Sequence, residues 1–317
     1  MTTEHTRVRH MLRDDDLSPA EQIQVLNLAM AFREDRYVRT PLRGPQAVAF
    51  ITDKPTLRTQ LSFTAGIAEL GGYPLVVDGN LAQIGVRESI EDTARVLDRQ
   101  VAAIVWRTYG DDRIERMAAA SRVPVINALT DGFHPCQILA DLLTIAQHRG
   151  GVGALPGQVL AYVGDGANNM AHSYLLGGAT AGLHVRIGAP RDYWPDPQIL
   201  TRAQQIAQIT SGSVTVTTDP VEAVSGAHAV ATDTWVSMGD ESQAALREKP
   251  FVPYRLDAAL LAHGASDAIV LHCLPAYRGK EITDEVIEGP QSVVFDESEN
   301  RLHAQKALLT WLLERQR

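Results

Sequence analysis

The segment Ala47-Val48-Ala49-Phe50-Ile51-Thr52-Asp53-Lys54-Pro55-Thr56-Leu57-Arg58-Thr59-Gln60 sets the pattern for the whole chain. Ala47 to Ile51 is apolar throughout and of strand length, and the segment from Thr59 to Leu70 reads as a helix ending at Gly71-Gly72. A strand without apolar–polar alternation is covered on both faces, and such strands belong to parallel sheets with helices on either side.

Outward from this unit the alternation recurs. Tyr73–Val77, Ala102–Trp106 and Val123–Asn127 are strand candidates, and Glu88–Leu97, Asp112–Ala120 and Cys136–His148 are helix candidates. Before them, Ser18-Pro19-Ala20-Glu21 supplies a cap, a proline at the first helical position and a glutamate at the third. Ile23, Leu26, Met30 and Ala31 then follow in helical rhythm. Arg149-Gly150-Gly151-Val152-Gly153 interrupts the pattern and makes a good connection between domains, though an ordinary loop is also compatible. Beyond it, strands are expected at Val159–Val163, His184–Ile187, Val214–Thr217, Ala229–Thr232, Ile269–His272 and Val293–Phe295. Helices are expected at Met170–Ala181, Gln198–Ile209 and about Asn300 to Glu314, with a polar connection over Val236–Pro253. The expectation is an α/β protein of two domains, 1–148 and 149–317, each a parallel-type sheet flanked by helices.

Composition narrows the function. The 317 residues are 45% hydrophobic and 21% charged, ordinary for a globular protein. A net charge of −9 argues against nonspecific nucleic-acid binding but leaves room for a small anion in a locally basic cleft. Two cysteines, Cys136 and Cys273, make no disulfide framework and suit a reducing cytoplasm. Met1 to Arg13 is polar, unlike a signal peptide, and no apolar run approaches the ~20 residues of a membrane helix.

Ligands in parallel α/β sheets bind at the carboxyl ends of strands, so chemistry is sought at those junctions. Asp53 to Gln60 opens a helix, whose free N–H groups and dipole suit phosphate. Thr56 and Thr59 add hydroxyls there and Arg58 a planar fork, although a capped helix with a solvated arginine reads the same way. Arg107 follows the strand ending at Trp106. His134 precedes Pro135 and stands one turn from Gln137; a neutral histidine can donate to a carbonyl oxygen that gains charge, or it can simply cap its helix. Gly164-Asp165-Gly166-Ala167-Asn168-Asn169 begins like a dinucleotide fingerprint but has Asn169 in place of the third glycine, and paired amides suit a carboxylate instead. Asp233, after a strand, suits a substrate ammonium or a helix cap. Cys273 ends an apolar strand, and a buried inert thiol is the simplest reading. Cys136, His272 and Cys273 lack the spacing of a zinc site, so neither a metal nor a cofactor is expected.

Taken in order along nearly the entire chain, these segments resemble ornithine carbamoyltransferase. The resemblance is carried by Thr56 to Thr59, Gln83-Ile84-Gly85, Trp106-Arg107-Thr108, His134-Pro135-Cys136-Gln137, Asp165 to Met170, Asp233 to Gly239, His272-Cys273-Leu274-Pro275 and Glu299 to His303. Trp235 to Gly239 and His272 to Pro275 favour the ornithine branch over the aspartate branch. The resemblance implies a first domain for carbamoyl phosphate, a second for L-ornithine, and a last helix crossing back to the first domain. It also implies a homotrimer or a multiple of trimers, with Gln83 reaching into the adjacent site. By the same likeness, Thr56, Leu57, Arg58, Thr59 and Arg107 hold the phosphate, and Thr59, Arg107, His134 and Gln137 surround the carbamoyl group. Asn169, Asp233, Ser237 and Met238 hold the amino acid, and Cys273, Leu274 and Arg301 close the space between the ligands. Arg107, His134 and Cys273 are the expected catalytic residues.

One motif departs from the family. Its usual Ser-Thr-Arg-Thr-Arg is Thr56-Leu57-Arg58-Thr59-Gln60 here, which removes a hydroxyl and a cation. A weaker phosphate grip, an altered acceptor or inhibitor response, and a non-catalytic relative are the three consequences to weigh. The acceptor could also be acetylornithine, lysine or a diamine. A nicotinamide-dependent dehydrogenase is the competing enzyme class, supported by the glycines at 164 and 166 and opposed by the lack of a placed ribose-binding acid.

Overall fold

The computed structural model describes residues 8–235 and 248–316. The chain forms two compact units, one of Met1–Ala140 with Glu299–Arg317 and the other of Asp141–Ser298.

The first unit begins with α1 (Pro19–Glu34). Its start is fixed reciprocally, because Ser18 Oγ accepts from the Glu21 N–H and the Glu21 carboxylate accepts from the Ser18 N–H. The helix buries Gln22, Val25, Leu26, Ala29 and Phe32; Ile23, expected inside, is exposed. Then come β1 (Ala47–Thr52), α2 (Arg58–Glu69), β2 (Tyr73–Asp78), α3 (Gly79–Ala82), α4 (Ile90–Leu97), β3 (Ala103–Arg107), α5 (Asp111–Ala120), β4 (Val125–Leu129) and α6 (Pro135–His148), whose residues from Asp141 onward belong to the second unit. All pairings are parallel, in the order β2-β1-β3-β4. The chain leaves β1 toward one edge and returns to place β3 on the other side. Connections therefore diverge between β1 and β3, and a crevice opens at their carboxyl ends.

The second unit repeats the plan with β5 (Val159–Val163), α7 (Asn169–Ser173), β6 (His184–Gly188), α8 (Pro197–Thr210), β7 (Ser213–Thr217), α9 (Pro220–Val224), β8 (Ala229–Thr232), α10 (Ala258–Leu261), β9 (Ile269–Leu271) and α11 (Asp284–Ile287). Its parallel sheet runs β7-β6-β5-β8-β9, so the reversal falls between β5 and β8. Ala161, Val163, Val230 and Val270 pack there against Val224, Leu256, Leu260 and Ile287.

The last helix, α12 (Val294–Glu314), carries the chain from the second unit into the first. In the first unit Lys306 donates to Glu69 and Trp311 to Gln24. Two expectations are corrected. Val293–Phe295 is not a strand: pairing with β9 is a single parallel bridge between Ser292 and Val270, closed by the bond from the Val293 N–H to Val270 O, and the helix begins at the next residue. Asp296 and Glu297, in its first turn, favour the positive end of the dipole over continued extension. Within the connection expected over Val236–Pro253, Lys249–Tyr254 is a 3-10 helix with Phe251 buried against Tyr193 and Trp235; residues 236–247 lie outside those described.

Candidate functional site

In the first unit the expected phosphate residues stand at the carboxyl ends of β1 and β3, where the strand order reverses. Thr56 and Leu57 precede α2, whose first residues are Arg58 and Thr59. Leu57 occupies the cap position without a side-chain hydrogen bond and is 65% exposed. Arg107 ends β3 in register with Thr52 of β1, and its carbonyl accepts from the Asp53 N–H at 2.9 Å. Its side chain is buried.

His134, from the turn after β4, is buried, as are Thr59 and Arg107. Burial holds its imidazole well below the ordinary histidine range, and the positive charges of Arg301, Arg107 and Arg58 push the same way. Arg301 enters from α12, donating to Thr59 Oγ1 at 2.7 Å and to Gln137 Oε1. Because Thr59 accepts from Arg301, its hydroxyl hydrogen remains available for another acceptor. The result is a neutral imidazole among three guanidinium groups.

The sequence reading missed the brace beneath this cluster. Thr108 Oγ1 donates to Asp53 Oδ2 at 2.5 Å and accepts from Arg113 Nε at 3.0 Å. Arg113 Nη2 donates to Ile84 O at 2.9 Å, so Arg113 ties the ends of β1 and β3 to the turn bearing Gln83. Gln83 itself is exposed in the left-handed region, with φ 51°. Asp53 Oδ1 sits so close to Gly79 that a Cβ there would lie 1.8 Å from it. Arg113 follows Asp111-Asp112 and reads as part of a solvated helix face, so nothing local marks it.

In the second unit the candidates gather at the ends of β5, β8 and β9. Asn168 caps α7 by accepting from the Ala171 N–H at 2.9 Å and donates to Tyr162 Oη at 2.9 Å. Of the paired amides, Asn168 is therefore committed to the fold, and Asn169 is the first residue of α7. Asp233 follows β8, and Cys273 Sγ donates to its Oδ1 at 3.3 Å. Burial raises the Asp233 carboxyl above the usual range and holds the Cys273 thiol well above its own, with the Asp233 charge adding to the latter. Cys273 is thus a neutral thiol, not a thiolate nucleophile. Ser237 and Met238 lie outside the described residues.

Asp233, His272 and Cys273 bring potential metal-ligand atoms within 4.8 Å of one another. His272 Nδ1 accepts from the Leu274 N–H at 2.9 Å, so the ring carries its proton on Nε2, which faces Glu281 Oε1 at 3.1 Å. Both nitrogens are occupied, leaving the imidazole no lone pair for an ion. Cys136, from the other unit, donates to Asn127 O and is pushed by burial to about 12.

Two family models match this chain: the carbamoyl-P binding domain of aspartate/ornithine carbamoyltransferase over residues 9–147, and the Asp/Orn binding domain over 156–312. The chain belongs to the aspartate/ornithine carbamoyltransferase family. An ornithine carbamoyltransferase of Bifidobacterium longum subsp. infantis is 61% identical over 305 residues, covering 96% of this chain and 95% of the relative. The ornithine carbamoyltransferase structure from Pyrococcus furiosus superposes with a TM-score of 0.90 at 41% identity, covering 95% of this chain and 96% of that one. The anabolic ornithine carbamoyltransferase from Campylobacter jejuni gives a TM-score of 0.91 at 35% identity, covering 98% and 100%.

Proposed function

We propose that this chain transfers the carbamoyl group of carbamoyl phosphate to the side-chain amine of L-ornithine, giving citrulline and phosphate. The observation that carries the reading is the buried, neutral His134 with Arg58, Arg107 and Arg301 acting on it.

Residues 1–148 take carbamoyl phosphate. The N–H groups at the start of α2, the hydroxyls of Thr56 and Thr59, and the guanidinium groups of Arg58 and Arg107 receive the phosphate. His134, Arg107 and Gln137 face the carbamoyl group. Residues 149–317 take ornithine, with Asp233 receiving an ammonium group and Asn169, Ser237 and Met238 the rest of the amino acid. Cys273, Leu274 and Arg301 complete the surroundings of the reacting groups.

The uncharged amine attacks the carbonyl carbon, and the pair from the C=O bond moves to oxygen. A neutral imidazole and a guanidinium donate to that developing oxyanion, each such donor lowering the barrier by about 3–4 kcal/mol. Collapse breaks the bond to the bridging oxygen and releases phosphate, whose charge the arginines offset and which accepts the proton leaving nitrogen. An amine with a lysine-like pKa of about 10.4 must first lose a proton, at a cost near ~5 kcal/mol at pH 7. The neutral Cys273 thiol provides the weakly solvating surroundings that favour the uncharged amine.

We also place Gln83 at a contact between copies, in a homotrimer or a multiple of trimers. Leu81 and Val86, on either side of it, are 82% and 80% exposed, apolar surface that a neighbouring copy would cover. A cytoplasmic role in arginine biosynthesis accords with the proposed product. The test is a ureido-product assay with carbamoyl phosphate against ornithine, acetylornithine, lysine and a diamine. Product with ornithine far above the others supports the reading; product with another amine reassigns the acceptor, and none with any amine refutes carbamoyl transfer.

A further inference from the structure

His272, His-Cys-Leu-Pro's first residue, is fully built into the second unit yet has no part in the chemistry described above. Its backbone N–H donates to Glu297 Oε2 at 2.7 Å. Its Nδ1 accepts from the Leu274 N–H at 2.9 Å, and its Nε2 faces Glu281 Oε1 at 3.1 Å. Glu281 Oε1 also accepts from the Tyr277 N–H at 2.6 Å. His272 and Glu281 are each about 1% exposed. Leu274, the residue they hold, has φ 55°, a region that residues with a Cβ rarely enter.

These bonds have one consistent proton assignment. A backbone N–H can only donate, so Nδ1 must be the acceptor and Nε2 must carry the hydrogen that goes to Glu281. The carboxylate therefore selects the tautomer, and the tautomer fixes the Leu274 N–H. In a planar peptide the preceding carbonyl points opposite to that N–H. The direction of the Cys273 carbonyl, and with it the entry of Cys273 toward Asp233, is set from behind by His272.

We infer that His272, backed by Glu281, is a positioning residue that holds the Cys273–Leu274 peptide in its reactive orientation; this rests on the carbamoyl-transfer reading. It touches neither substrate itself. Small displacements of reacting groups are costly, with a shift of about 1 Å worth up to ~100-fold in rate.

The experiment compares two amides, each retaining one half of the imidazole. In His272→Asn the side-chain oxygen stands where Nδ1 stood and still accepts from Leu274. In His272→Gln the amide reaches toward Glu281 and offers nothing at Nδ1. His272→Gln is expected to lower kcat by roughly 10- to 100-fold, with KM for carbamoyl phosphate unchanged, and His272→Asn to recover most of that loss. Glu281→Gln keeps an acceptor oxygen and is expected to stay near the parent kcat. Equal losses in the two His272 variants, or no loss in either, overturn the proposal. The tautomer is read separately on the parent protein by ¹⁵N-histidine NMR: an Nε2–H imidazole is expected, and an Nδ1–H ring or an imidazolium at neutral pH overturns the proposal whatever the variants do. Parent protein that makes no citrulline refutes the functional reading instead, and the NMR result still decides the proposed placement.

Discussion

Leu57→Thr combined with Gln60→Arg restores the residue types usual in this family at the start of α2. Leu57 holds the cap position there with no side-chain hydrogen bond and with most of its surface in water, while Gln60 is half-buried one turn further on. A hydroxyl at 57 adds a hydrogen bond to an anion worth about 1.5–3 kcal/mol, and a partly exposed cation at 60 adds about 0.3–1 kcal/mol. The sum, about 2–4 kcal/mol, corresponds to binding tighter by roughly 30- to 700-fold. Threonine is also a far better cap than leucine, so the variant should gain about 1 kcal/mol of stability even without ligand. Isothermal titration with carbamoyl phosphate reads the first effect and a thermal melt the second. Unchanged or weaker binding in a variant whose melting temperature has risen would refute the placement of phosphate at this helix start, since the new cap would then be formed and the anion site would not.

Four further outcomes follow from the same geometry. His134→Phe should lower kcat about 100- to 1,000-fold by removing an oxyanion donor, measured by steady-state citrulline formation. The folded protein holds His134 unprotonated where the unfolded chain takes up a proton below about pH 6.5, so stability should fall as pH drops through that value. Urea titrations at pH 7.5 and 5.5 should show a smaller difference for His134→Phe than for the parent. Arg301→Met removes two buried bonds, to Thr59 and Gln137, and should cost about 3–6 kcal/mol if both are lost outright, read as a lower urea midpoint. Gly79→Ala must displace Asp53 and should cost about 1–3 kcal/mol, with a raised KM for carbamoyl phosphate as the brace shifts.

Much of this molecule was legible in its residues, because buried parallel strands are apolar end to end and their limits fall where polar junctions begin. Val159–Val163 and Ala229–Thr232 coincide with their observed strands, and Ser18 and Glu21 cap α1 as their spacing requires. The failures have common causes. Ile23 lies on the water face of α1 because Val25 and Ala29 define the buried stripe. Val293 to Phe295 have strand-like side chains, but pairing with Val270 stops at the single parallel bridge of Ser292, and the acidic pair Asp296 and Glu297 favours a helix from Val294.

The candidate junction residues stand out in the sequence by their place after apolar strands, whereas the groups bracing them do not. Arg113 and Glu281 look like solvated surface charges in sequence. Their roles arise from partners distant along the chain: Asp53 and Ile84 for the one, His272 for the other. Asn168 shows the converse, since a residue read as a ligand candidate proves to cap α7 and anchor on Tyr162.

The central claim is that an acyl phosphate held by Arg58, Arg107 and His134 passes its carbamoyl group to ornithine. Carbamoyl phosphate labelled with ¹³C at its carbonyl, mixed with the protein and L-ornithine, can be followed by ¹³C and ³¹P NMR together. One labelled citrulline should accumulate for every inorganic phosphate released. Phosphate appearing with the label in carbonate, or a labelled substrate left intact, would contradict the account.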